Sequence, residues 1–152
     1  MSLKKEIHIN VPVNNAFSHF IQSFHLWWPR EYTWSRELLE KIEIGSKKDD
    51  LCSEYGPHGF RCDWGRMIEV VHNERISFTW QISPKREPVP DPSRSSVITV
   101  KFHSENEGTK LVLLHDRFEN HGEGHETYKS AMDSEYGWQY ILEKFREFLV
   151  SR

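Results

Sequence analysis

Apolar and polar residues alternate from Lys5 to Val11, with Ile7, Ile9 and Val11 on one side and Glu6, His8 and Asn10 on the other, the period of a half-buried strand. The period then changes. Val13, Ala16, Phe17, Phe20, Ile21 and Phe24 follow helical spacing, Pro12 suits the first turn, and Pro29 ends or kinks any helix that reaches Leu26, Trp27 and Trp28. Alternation returns between Leu38 and Ile82: at Ile42 and Ile44, Leu51 to Tyr55, Phe60 to Trp64, Arg66 to Val71, then Ile76, Phe78, Trp80 and Ile82. Turn residues at Gly45 and Ser46, Gly56 to Gly59, and His72 and Asn73 separate these runs, which read as successive antiparallel strands. Ser83 to Ser96 holds four of the seven prolines and reads as a loop. Val97 to His103 and Lys110 to Phe118 read as a hairpin turning near Gly108, and Asn120 to His125 as a polar connector. Beyond Ser134, the positions Trp138, Ile141, Leu142, Phe145, Phe148 and Leu149 predict a long amphipathic C-terminal helix. This order predicts an α+β domain, with helices gathered on one side of an antiparallel sheet.

At 152 residues the chain fits a single domain, 1–152. An aromatic content of 13%, six Trp among them, supplies a core, and a net charge of -3 leaves no cationic excess for nucleic acid. The longest aliphatic run, Leu111 to Leu114, is far short of the roughly 20 residues that span a bilayer, so membrane insertion is not expected. The alternating N-terminus lacks the apolar stretch of a signal peptide, which points to the cytoplasm, where Cys52 and Cys62 stay thiols.

Chemistry-bearing motifs are scarce. Neither a GxSxG elbow nor a glycine-rich phosphate loop occurs, so the common nucleophilic and nucleotide-binding routes are closed. The cluster His115, Asp116, His121, Glu123, His125 and Glu126 has ligating atoms, but its spacing is not that of a metal motif. No metal and no cofactor is therefore expected.

The elements carry a family resemblance across nearly the whole chain. Pro12, Val13 and Phe17 after the first strand, then Trp27-Trp28-Pro29, Asp63 to Val70 and Ile76 to Gln81, come in the expected order. Gly108 to Leu111, His115, Gly122-Glu123 and Gly137-Trp138 complete it. In this order the chain resembles the START-like, Bet v 1-type helix-grip superfamily, in the branch of the C-terminal domain of the activator of heat-shock-protein ATPase. The resemblance implies a curved sheet of about seven strands gripping the C-terminal helix, two short helices after strand one, and an elongated cavity between helix and sheet. It implies binding of apolar small molecules, and it selects no catalytic residue.

Candidate walls follow from phase. Trp80 shares a face with Ile76 and Phe78, and Trp138 shares one with Ile141, Leu142 and Phe145. Trp28 sits where one of two adjacent indoles can close the cavity mouth, since both cannot be buried in one direction. His115 follows Leu111 and Leu113 at period two, an imidazole on an apolar face. Arg117 continues that face, to meet a ligand carboxylate or pair with Asp63 or Glu69. The expected ligand-binding set is thus Trp28, Phe78, Trp80, Leu113, His115, Arg117, Trp138 and Phe145. The leading expectation is a binding protein for a small apolar, lipid-like or aromatic ligand. The alternatives are an interaction module with a chaperone or a second copy of the chain as partner, and a cyclase or dehydratase using His115 as acid or base.

Overall fold

The computed structural model describes residues 2–151. Strand β1 (Ser2–Ile9) buries Leu3 and Ile9 and exposes Lys4, Glu6 and His8, so the predicted alternation holds, from three residues earlier. Pro12 precedes α1 (Val13–Gln22), which buries Ala16, Phe17 and Phe20, and Ser23 joins it to the single turn α2 (Phe24–Trp27). The meander follows as β2 (Lys41–Glu43), β3 (Leu51–Tyr55), β4 (Arg61–Val71), β5 (Arg75–Trp80), β6 (Ser96–Glu105) and β7 (Gly108–Asp116). Two further helices, α3 (His125–Asp133) and α4 (Trp138–Val150), end the chain.

All seven strands join one antiparallel sheet in the order β1-β7-β6-β5-β4-β3-β2, so β1 returns to flank the last strand of the meander. The helix-grip architecture is therefore present, with α4 held in the concave face by Trp138, Ile141, Leu142, Phe145 and Leu149. Curvature has an identifiable source in β4. The runs Phe60 to Trp64 and Arg66 to Val71 are one eleven-residue strand, and its register slips against β3 between Cys52 and Ser53 and against β5 between Met67 and Glu69. Each slip inserts an unpaired residue that bends the strand. Gly65 lies at the first slip, where a Cβ would come within 2.4 Å of the Thr79 carbonyl oxygen, so no side chain fits.

Two expectations need correction. Trp27 and Trp28 are both buried: the Trp27 indole donates to the Phe20 carbonyl at 3.2 Å, while Trp28 stacks on Phe24 with centroids 4.8 Å apart. Adjacent residues at the end of a helical turn leave in different directions, and here each direction is interior. The second concerns the stretch between the Asn120 to His125 connector and α4, to which the sequence pattern assigns no element: it forms α3, burying Tyr128 and Met132 four residues apart. Cys52 and Cys62 are buried free thiols on adjoining strands; Cys52 opposes Gly65 and Cys62 opposes Glu54, so they do not face each other.

Candidate functional site

The inner half of the space between sheet and α4 is filled. Trp28, Trp64, Trp80 and Trp138 meet there, with Trp64 to Trp80 at 5.7 Å, Trp80 to Trp138 at 5.5 Å and Trp28 to Trp138 at 6.0 Å between centroids. Such tilted and edge-on pairs are the favoured aromatic geometries. Trp80 is further fixed by its indole N–H, which donates to Tyr128 Oη at 2.7 Å, and that hydroxyl donates to the Ile82 carbonyl at 2.9 Å.

In front of this block lies a cavity of about 610 Å³. The buried side chains Trp28, Trp64, Trp80 and Ile141 form its floor, and Ile42, Glu54, Ile82 and Met132 also line it. Its volume falls within the roughly 300 to 1,000 Å³ of small-molecule sites. A second hollow of about 640 Å³, around His25, Lys41, Glu43, Asp49, Asp50 and Arg61, is lined mostly by polar and charged groups and lacks the tryptophan floor.

Three segments frame the mouth: Glu31 to Arg36 after α2, Ile82 to Arg86 after β5, and Ala131 to Gly137 between α3 and α4. They are tied across the opening. Tyr32 Oη donates to the Tyr136 carbonyl at 2.7 Å, Trp34 Nε1 donates to the Arg86 carbonyl at 2.9 Å, and Tyr140 Oη donates to Glu31. Glu54 anchors the first segment from below. It is fully buried on β3, and its carboxylate accepts from Ser35 N and Ser35 Oγ, both at 2.8 Å, and from Trp34 N at 3.2 Å. A buried carboxylate without such donors would cost several kcal/mol.

Behind the floor runs a chain of hydrogen bonds with a fixed direction. Trp138 Nε1 can only donate, so His115 Nδ1 accepts at 2.9 Å and the ring proton lies on Nε2. That proton goes to Ser96 Oγ at 2.6 Å, whose own hydrogen goes to His121 Nε2 at 2.8 Å. Both imidazoles are therefore neutral. Burial pushes His115 well below its ordinary value, helped by His121, and burial, helped by His125, pushes His121 down to about 4. The sign of the linkage follows. Between pH 6.5 and about 4 the unfolded chain binds protons that the folded chain refuses, so stability is complete above 6.5 and lost on acidification. His121 alone is expected to account for about 2 to 3 kcal/mol of loss by pH 4.5 in urea unfolding, and His115 adds to it in the same direction. Stability that stays flat from pH 7 to 4.5 would contradict this wiring.

Residues 10–150 match the family described as activator of Hsp90 ATPase homolog 1-like protein. The chain belongs to that family. No functionally curated protein matches it. Among solved structures it is similar to the anthrahydroquino-γ-pyrone synthase Txn09, at 25% identity and a TM-score of 0.68 over 96% of this chain and 95% of that one. It also resembles CalC, a self-sacrificing resistance protein from Micromonospora echinospora, at 19% identity and 0.64 over 96% and 92%. A protein from Nitrosomonas europaea shares the fold at 16% identity and 0.69 over 99% and 95%.

Within this family fold, the eight residues expected from sequence divide. Trp28 and Trp80 line the cavity. Phe78, Leu113, His115, Trp138 and Phe145 are buried behind it as core. His115 has both ring nitrogens engaged, so it has neither a free proton nor a free lone pair to offer a ligand. Arg117 lies just beyond β7, exposed, with its backbone N–H on Asp116 Oδ1, and it does not line the cavity. Its supposed partners are taken: Asp63 by Arg61 and Ser53, Glu69 by Arg75. The sequence reading missed Glu54, Trp34 and Arg86. Only Trp34 carried a signal, an aromatic outside any periodic segment. Among the described residues no helix is long and apolar enough to cross a membrane.

Proposed function

We propose that this protein binds a flat, largely apolar aromatic molecule in the cavity above the tryptophan floor, and that it does so in the cytoplasm. The carrying observation is the floor itself: three indoles and Ile141 facing about 610 Å³ of space with few polar atoms. Burying some 300 Å² of apolar ligand surface there would contribute about 7 kcal/mol before the costs of association. Planar ligands suit walls of ring faces and edges better than flexible chains do, because they lose little conformational freedom on binding. The similar structure at 25% identity is, by its name, an anthrahydroquino-γ-pyrone synthase, which supports a ligand of that polycyclic class here. His115, the acid or base of the cyclase alternative, lies behind the cavity with both ring nitrogens engaged, and the lining carboxylates Glu31 and Glu54 are held by Tyr140 and by the Trp34 and Ser35 segment, so the reading is binding without turnover.

A fluorescence titration tests it. Anthraquinone-type compounds are expected to quench the tryptophan emission saturably and to raise the melting temperature, while aliphatic fatty acids of similar volume do so weakly. Ala131 is exposed on the rim, so Ala131→Trp is expected to block the cavity, abolishing quenching without lowering stability. Quenching that survives this substitution would defeat the proposal. A stoichiometric complex with a heat-shock ATPase, unaffected by Ala131→Trp, would move the function to the protein's surface.

A further inference from the structure

Four ionisable side chains other than tyrosine line the cavity: Glu31, Glu54, Arg36 and Arg86. The carboxylates are already served, Glu31 by the Tyr140 hydroxyl and Glu54 by three donors of the Trp34 and Ser35 segment. The arginines are not. The Arg86 guanidinium lies over the Tyr128 ring, 5.1 Å from its centroid, with Nη1 3.8 Å from Met132 Sδ, and no carboxylate among the described residues pairs with it. Arg36 likewise has no carboxylate partner among them; its backbone N–H is held by Thr33 Oγ1.

The backbone fixes where the two side chains begin. Both arginines are in the left-handed region, Arg36 at φ 51 and Arg86 at φ 63. Such residues carry a conformational penalty of order 1 kcal/mol that glycine would avoid. Asp49, His58, Asn73, Asn106, Glu107 and Arg117 share the conformation, so it marks no site by itself. At Arg86 it belongs to a tight turn closed by the antiparallel Ile82–Pro88 bridge, which sets where the side chain starts. The Arg86 N–H reaches the Ser83 carbonyl at 2.8 Å, Ser83 Oγ accepts from Lys85 N and Glu87 N, and Trp34 grips the Arg86 carbonyl from across the mouth. The result is a cation with a fixed base, no carboxylate partner among the described residues, and a place on the wall of an aromatic cavity.

We infer that the ligand is an aromatic anion, its ring system on the tryptophan floor and its acidic oxygen, carboxylate, phenolate or sulfonate, paired with Arg86 and secondarily with Arg36. This inference rests on the cavity reading above and adds the charge of its occupant. Guanidinium is the suited partner, because its planar fork can give an oxyanion two parallel hydrogen bonds.

Two probes with one skeleton separate the claims: 1-anilinonaphthalene-8-sulfonate, an anion, and N-phenyl-1-naphthylamine, its neutral counterpart. Both are expected to bind, the anion about 10-fold more tightly, the factor that one charge-assisted contact of roughly 1.4 kcal/mol gives. Arg86→Met is expected to remove that advantage while leaving the neutral probe within about 2-fold, and Arg86→Lys to retain part of it. Arg86→Gly should lose the advantage equally yet melt no lower than the wild type, because the left-handed residue is then unstrained. Equal affinity for the two probes, or an anion affinity unchanged in Arg86→Met, would overturn the inference and leave the cavity reading standing. Failure of both probes to bind, or binding that survives Ala131→Trp, would overturn the cavity reading with it.

Discussion

Replacing Trp138 with alanine is expected to lower the unfolding free energy by about 4 to 8 kcal/mol, enough to leave a domain of ordinary stability largely unfolded at 37 °C. Two losses add. Trp138 is 1% exposed and packs against Trp28, Trp80 and His115, so truncation opens a cavity for which losses of about 3 to 5 kcal/mol are usual. It also removes the donor to His115 Nδ1, orphaning a buried acceptor at a further 1 to 3 kcal/mol. Trp138→Phe separates the two, keeping most of the volume and losing the N–H, and is expected to cost about 2 kcal/mol. Urea unfolding of both variants at pH 7 gives the values. An alanine variant within 2 kcal/mol of wild type would show that the first turn of α4 is not fixed by this residue.

Glu54→Ala should have the second largest effect, and a more local one. Three donors on Trp34 and Ser35 lose their only acceptor, so the Glu31 to Arg36 segment detaches from β3. We expect a loss of about 3 to 4 kcal/mol, with Glu54→Gln near half of it, since the amide oxygen can still accept while its NH₂ meets a donor. Hydrogen exchange distinguishes this from general weakening. The Trp34 and Ser35 amides should exchange roughly 100-fold faster even where the β6–β7 hairpin remains protected. Uniform acceleration across the sheet would assign Glu54 to the global core instead of to the cavity mouth.

The fold was legible wherever one face of an element is dry and the other wet. Ile9 on β1 and the 141, 142, 145, 149 set on α4 follow that rule, and Leu111, Leu113 and His115 on β7 keep the period although Val112 on the opposite face is buried as well. Legibility failed where both faces are covered or the phase breaks. On β3 the consecutive residues Cys52, Ser53 and Glu54 are all buried, because the Glu31 to Arg36 segment lies over the face that period two assigns to solvent. On β4 the inserted residues put Trp64 and Gly65 inside together. The start of α3 was hidden by Gly122 and Gly124, although Tyr128 and Met132 stood at helical spacing beyond them. The cavity suffered most, since its charged wall is Arg86, in a proline-rich loop whose path is fixed by hydrogen bonds to Ser83 and Trp34 that no periodicity records. His115 shows the converse error. Its position was read correctly, but its role depended on Ser96 and Trp138, remote in sequence and decisive in space.

The two cysteines give the molecule a clock of its own. Burial pushes Cys52 up to about 12 and Cys62 up to about 11, so in the closed sheet neither sulfur is a thiolate that an alkylating or disulfide reagent could trap at neutral pH. Once β3 and β4 part, both revert to ordinary thiols and label quickly. Because the same strands carry Glu54 and Trp64, the labelling rate times the opening of the cavity's own wall, and anything that fills the cavity should slow it.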